Sequence, residues 1–242
     1  MTTLPSLERL QPRLLGGGLS EDDLAGLLAA ARLIDAPPRR MLLRGHEDRV
    51  LLLLDGTAKQ HLVTSDGEEV IDALVGPGHV AGLTTALGLI PSDVDLTSME
   101  KVTGLFVSGT DLRYLVSERP DIARACLRVV VEQQTIAAAE RAKYSRTTVN
   151  ERVCQRLLEL TQRWGHQEGD GIRVTLPIAQ HELAAWSGAS RESVAKILHG
   201  LRHVGAITTG RRDLMVLDTR MLRAASRHRG DDDLRDLLRG AG

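Results

Sequence analysis

Residues 178–201, IAQHELAAWSGASRESVAKILHGL, constrain what this chain can fold into more than any other stretch. They predict two short helices joined by a tight turn. Ile178, Leu183, Ala184 and Trp186 can face a core from the first helix. Gly188 falls where the turn needs a residue free to take a positive φ. On the second helix Val194, Ile197, Leu198 and Leu201 recur at helical spacing as one buried stripe. The opposite face carries Arg191, Glu192 and Lys196 near its N-terminus, the end that a DNA-reading helix places in a major groove.

The rest of the chain gives that segment a setting. With 242 residues, one large or two modest domains are expected. An apolar fraction of 42% supports real cores, built mainly from Leu, Val, Ala and Ile because aromatics make up only 2%. The formal charge of −1 argues against a nucleic-acid binder, but the charge is unevenly spread. Residues 178–229 hold nine Lys/Arg against four Asp/Glu, so phosphates can be held locally. Cys126 and Cys154 lack CxxC partners and are expected to be buried or half-buried free thiols, with no metal site. No signal-like stretch and no membrane-length apolar run occurs, so a cytoplasmic location without membrane contact is expected.

Residues 4–33 read as helical, with Ser20 as an N-cap before Glu21, Asp22 and Asp23. Pro37-Pro38 ends that pattern. Over 40–109, short apolar runs (50–54, 70–74 and 102–107) alternate with the turn signals Asp55-Gly56, Asp66-Gly67 and Gly76-Pro77-Gly78. This texture predicts a β-roll or barrel. A short helix follows at 111–118. A long helical stretch then covers 121–161, with a break near 145–150. Its apolar residues Ile122, Leu127, Val129, Val130, Ile136 and Ala137 are expected to serve partly as internal core and partly as a dimer contact. Residues 164–171 read as a polar loop and 172–176 as a short strand. Residues 206–218 read as a hairpin, a wing with Arg211 and Arg212 at its tip. The tail from 220 onward is either a marginal amphipathic helix or frayed chain.

In this order, and with GASRESVAKIL preceded by QHELA, the chain resembles the Crp/Fnr family of bacterial transcription regulators. The resemblance covers roughly 14–225, and GPGHVAGL and KVTGLFVSGTDL match the family's β-roll in spacing. It implies an α+β fold: an N-terminal β-roll of the cyclic-nucleotide-binding-like jelly-roll kind, a long dimerisation helix and a C-terminal winged helix-turn-helix. The implied divisions are 1–117, 118–148 and 149–225, with a charged tail at 226–242. A non-enzymatic homodimer on double-stranded DNA is implied, with RNA polymerase as a further partner. Arg191 matches the family's base-reading arginine, whose fork fits guanine O6 and N7, and Glu192 can accept from cytosine N4. Lys196 stands where the family commonly has arginine. A palindromic, TGTGA-like operator follows, with altered preference at the base facing Lys196. Gln180, His181, Ser190 and Ser193, together with Arg211 and Arg212, are placed for backbone contacts.

The effector cassette departs from the pattern. Cyclic-nucleotide-binding relatives carry Gly-Glu-Leu and, about ten residues on, Arg-Ser/Thr. Here the aligned step is Gly82-Leu83-Thr84, and Ser92 followed by Asp93 takes the arginine's place. A buried phosphate facing Asp93 would be repelled. The resemblance therefore implies a regulator that does not use cAMP in the familiar way. Another small molecule such as a cyclic dinucleotide or a metabolite, a protein partner, or no ligand at all stays open. So does a conventional cAMP response, if the loop alignment shifts. An iron-sulfur sensor needs four cysteines, and His46, His61 and His79 lack the HxH-plus-Glu pattern of a cupin-like metal enzyme.

Overall fold

The computed structural model describes residues 19–210 and 213–226. The fold is α+β, with three four-stranded sheets among the described residues. Ser20 opens helix α1 (Glu21–Ala30) by accepting from the Asp23 amide at 3.1 Å, and the acids of the first turn suit the helix dipole. Strands β1 (Ala31–Ala36), β2 (Met41–Leu43), β3 (Arg49–Asp55), β4 (Ala58–Val63), β5 (Glu69–Val75) and β6 (Val80–Ala81) follow. A one-turn helix α2 (Leu83–Ala86) precedes β7 (Asp95–Ser98) and β8 (Val102–Ser108). These strands form the antiparallel sheets β1-β8-β3-β6 and β2-β7-β4-β5.

Strand β3 explains why its sequence is a continuous apolar run. Val50, Leu52 and Leu54 join one core cluster, while Leu51 and Leu53 join another. Successive side chains point to opposite faces, and here both faces are covered. Leu42, Leu43, Leu96 and Val102 are also in the second cluster, between the sheets. The first cluster lies under helices. It takes Leu24 and Leu27 from α1, Leu112 and Leu115 from α3 (Gly109–Glu118), and Ile122, Ala125, Cys126 and Val129 from α4 (Pro120–Tyr144).

Helix α5 (Val149–Trp164) begins after a four-residue break. Thr148 and Glu151 close it with a capping box, Glu151 Oε2 accepting from the Thr148 amide at 2.6 Å. Next come β9 (Gly165–Glu168), β10 (Gly171–Val174), α6 (Gln180–Ser187) and α7 (Arg191–His203). Strands β11 (Ile207–Gly210) and β12 (Asp213–Val216) and helix α8 (Thr219–Ala225) complete the order, and the third sheet runs β11-β12-β10-β9. By contacts the chain divides into two compact units, 1–63 with 72–139 and 64–71 with 140–242, so the last turn of α4 belongs to the second.

Three expectations need correction. The N-terminal helix ends at Ala30, and its stretch before residue 19 lies outside the described residues. Residues 31–36 pair with β8 instead, from Ala31 opposite Val107 to Ala36 opposite Val102, so sheet formation overrides a helix-compatible sequence. Residues 164–171 are not all loop, because β9 pairs antiparallel with β10. All four residues of β9 are exposed, which leaves no apolar alternation to read. Within the stretch read as a strand at 172–176, β10 stops at Val174. The expected break in the long helix is found at 145–148. The tail beyond 226 lies outside the described residues.

Candidate DNA-binding surface

Helix α6 starts without a side-chain acceptor at Ala179. Glu182 supplies the complementary half of a cap, its Oε2 accepting from the Ala179 amide at 2.9 Å. Leu183, Ala184 and Trp186 are buried, while Ile178 precedes the helix and is half-buried. The helix ends at Gly188 with φ +54° and ψ 50°, the left-handed geometry that terminates helices at least cost with glycine. Ser190 then opens α7, its Oγ accepting from the Ser193 amide at 3.1 Å. Val194, Ile197, Leu198 and Leu201 are all buried, at the spacing read from the sequence.

That burial leaves one face of α7 in solvent. Arg191, Glu192 and Lys196 are all exposed on it. The Glu192 carboxyl is held below its ordinary value by its own backbone amide, by the Ser190 hydroxyl and by the charge of Arg191. It is therefore a carboxylate, an acceptor only, at neutral pH. His199 and His203 continue the stripe of Glu192 and Lys196 one and two turns on, and both are exposed. No motif marks these two histidines, although the period of α7 that fixes its buried face also places them. Gln180 and His181 are exposed at the start of α6; Ser190 is exposed and Ser193 half-buried.

The hairpin of β11 and β12 pairs Ile207 with Val216 and Gly210 with Asp213. Arg202 near the end of α7 donates to Thr209 Oγ1 at 2.8 Å, which ties the hairpin to the helix. At its other side Arg173 of β10 bridges Glu168 and Asp213. Arg211 and Arg212, proposed for the backbone, lie outside the described residues.

Of the five residues of the effector cassette, Leu83 lines an apolar cavity. Gly82, at φ +79°, caps α2, and a Cβ there would lie 2.5 Å from the Arg49 carbonyl oxygen. Leu83 is 3% exposed and sits in the core under the helices. It lines a cavity of about 40 Å³ whose other walls include Leu27, Val50, Leu52, Leu105 and Cys126. Nothing in that wall could hold a phosphate. Thr84 and Ser92 are half-buried and Asp93 is exposed. The loop folds onto its own chain: Thr85 donates to the Gly45 carbonyl at 2.9 Å, and Asp95 accepts from the Gly45 amide at 3.0 Å.

Elsewhere, Cys126 and Cys154 are free and buried, and burial pushes their thiols up to about 11 and about 12. Among the described residues no group of three or more His, Cys, Asp or Glu is placed to hold a metal ion. No helix among them is long and apolar enough to cross a membrane.

The sequence profile of the Crp-like helix-turn-helix domain matches residues 151–225. Over 212 residues the chain is 29% identical to a CRP-like cAMP-activated global transcriptional regulator of Mycobacterium tuberculosis, covering 87% of this chain and 95% of that protein. It is 26% identical over 159 residues to the cyclic AMP receptor protein of Thermus thermophilus, covering 66% and 70% of the two chains. Two solved structures share the fold. The c-di-GMP-responsive global regulator CLP of Xanthomonas campestris matches with a TM-score of 0.71 at 19% identity, covering 83% of this chain and 100% of that one. A CRP/FNR family transcriptional regulator of Thermus thermophilus matches at 0.69 with 20% identity, covering 82% and 100%.

Proposed function

We propose that this chain, a DNA-binding transcriptional regulator of the Crp/Fnr type, reads a palindromic, TGTGA-like operator as a cytoplasmic homodimer. The observation that carries the reading is the exposed N-terminal half of α7, where Arg191, Glu192 and Lys196 stand clear of a fully buried opposite face. Arg191 takes guanine through its fork, Glu192 takes cytosine, and Lys196 gives a single flexible donor where a second fork would discriminate more sharply. Gln180, His181, Ser190, Ser193, Arg211 and Arg212 hold phosphates. The two-fold axis sets half-sites about one helical turn apart. Regulation through RNA polymerase follows from the same premise.

In the proposed organisation 1–117 is the sensor, 118–148 the dimer helix, 149–225 the reader and 226–242 a charged tail. The exposed apolar residues Leu127 and Val131 of α4, 63% and 56% accessible, support a dimer contact on that helix. The sensor does not use cAMP in the family's way, a reading supported by Leu83 being sunk in an apolar core and by Ser92 and Asp93 taking the aligned place of the family's arginine.

Operator selection from random DNA at fixed salt, with and without cAMP or cyclic di-GMP, tests both parts. Palindromic binding unchanged by nucleotide is the expected result. Binding that appears only with cAMP would return the conventional reading. On the selected operator Arg191→Ala should cost about 1–3 kcal/mol and relax base preference. Equal losses across all bases would sink the base-reading role.

A further inference from the structure

We infer that Arg152 and Arg156 of α5 are positioning residues for DNA reading: they strap the turn before the recognition helix to the last turn of α4. The inference rests on the DNA-reading role of α7. The last carbonyls of α6 have no amide one turn ahead to satisfy them. Arg152 serves them, Nε donating to the Ser187 carbonyl at 2.8 Å and Nη2 to the Gly188 carbonyl at 3.2 Å. Its Nη1 donates to the Thr147 carbonyl, in the break between α4 and α5, at 2.7 Å. A planar fork engaged with three carbonyls fixes their mutual spacing, which a flexible ammonium would not do.

Tyr144 completes this rung. Its ring lies under the Arg152 guanidinium at 4.2 Å, and its hydroxyl donates to the Gly188 carbonyl at 3.2 Å. One turn along each helix lies a second rung. The Arg156 guanidinium sits over the Trp186 ring at 4.7 Å and reaches Glu140 at 3.6 Å and Glu159 at 3.0 Å. Glu140 and Tyr144 are one turn apart on α4, as Arg156 and Arg152 are on α5. The two rungs meet consecutive residues at the end of α6. All these groups belong to the unit that begins at Glu140. Gly188 lies two residues before the Ser190 cap of α7, so whatever fixes Gly188 fixes where Arg191 and Glu192 point. A Cβ on Gly188 would lie 1.6 Å from the Tyr144 hydroxyl, so the glycine and the strap fit only each other.

The test compares affinity for the selected operator with affinity for unrelated duplex at one salt concentration, alongside thermal unfolding. Arg152→Gln should lose about tenfold on the operator, within the range seen when a residue without ligand contact is coupled to a site. Its binding to unrelated duplex and its salt slope should stay unchanged, because Arg152 touches no phosphate in this scheme. Arg152→Lys should recover part of the loss. Arg32→Gln, which removes an equal charge from an exposed position of β1, should match wild type. If Arg152→Gln does not fold, Tyr144→Phe carries the test, with a smaller loss confined to the operator. Equal losses on both DNAs, or none, would overturn the inference. A wild type that selects no operator sinks the DNA-reading role as well, whereas a variant equal to a selective wild type sinks only this inference.

Discussion

At the scale of single residues, environment decides what a side chain can do. Arg191 and Arg152 are the same amino acid 39 positions apart. Arg191 faces solvent at the start of α7, and Arg152 has its donors engaged by three backbone carbonyls. The GASRESVAKIL motif carries the first role. The second has no local signature, because its partners lie five, 35 and 36 residues away. His79 shows the same dependence on surroundings. Desolvation in the turn before β6 pulls its imidazole from 6.5 down to about 4, so the folded state holds it neutral. The unfolded chain takes up that proton as pH falls through 6.5, so the stability that His79 contributes is full above 6.5 and is lost between 6.5 and about 4. Chemical denaturation between pH 6.5 and about 5, above the range of ordinary carboxylates, should show stability falling in the wild type. The slope should be flatter in His79→Gln. Parallel slopes would mean that the histidine is not desolvated as described.

At the scale of elements, some local caps and turns were legible. Ser20 and Gly188 act where the sequence places them, since an N-cap or a left-handed glycine needs only its neighbours. The break in the long helix was legible to within a few residues for the same reason, and Thr148 with Glu151 shows its cause. Thr148→Ala should lower stability by about 1 kcal/mol, as loss of an N-cap does. Urea titration would check this, and a change below a few tenths would show that tertiary packing alone starts α5. Strands β1 and β9 were not legible. Both depend on hydrogen bonds to a strand elsewhere in the chain, and neither shows clear period-two burial.

At the scale of the whole molecule, the long helix shows how one element serves two surfaces. Ile122, Ala125, Cys126 and Val129 face the core under the β-roll, whereas Leu127 and Val131 lie on a different side and are exposed. Leu127→Asp should therefore leave the fold intact and convert the proposed dimer to monomer, with loss of palindrome binding. Sedimentation velocity would follow the change, and a dimer that survives it would move the interface elsewhere. By itself the sequence determined the α+β order of roll, long helix and winged helix-turn-helix. It also determined which face of α7 is left in solvent, because helical period and capping chemistry are local and the motif is contiguous. Only the tertiary structure decided that Leu83 lies in the apolar core under the helices. It alone showed β3 to be buried on both faces, and placed Arg152 and Arg156 against a turn some thirty residues or more ahead of them. Those outcomes depend on which distant segments pack together, and pairwise contact across the chain leaves no period in the sequence to read.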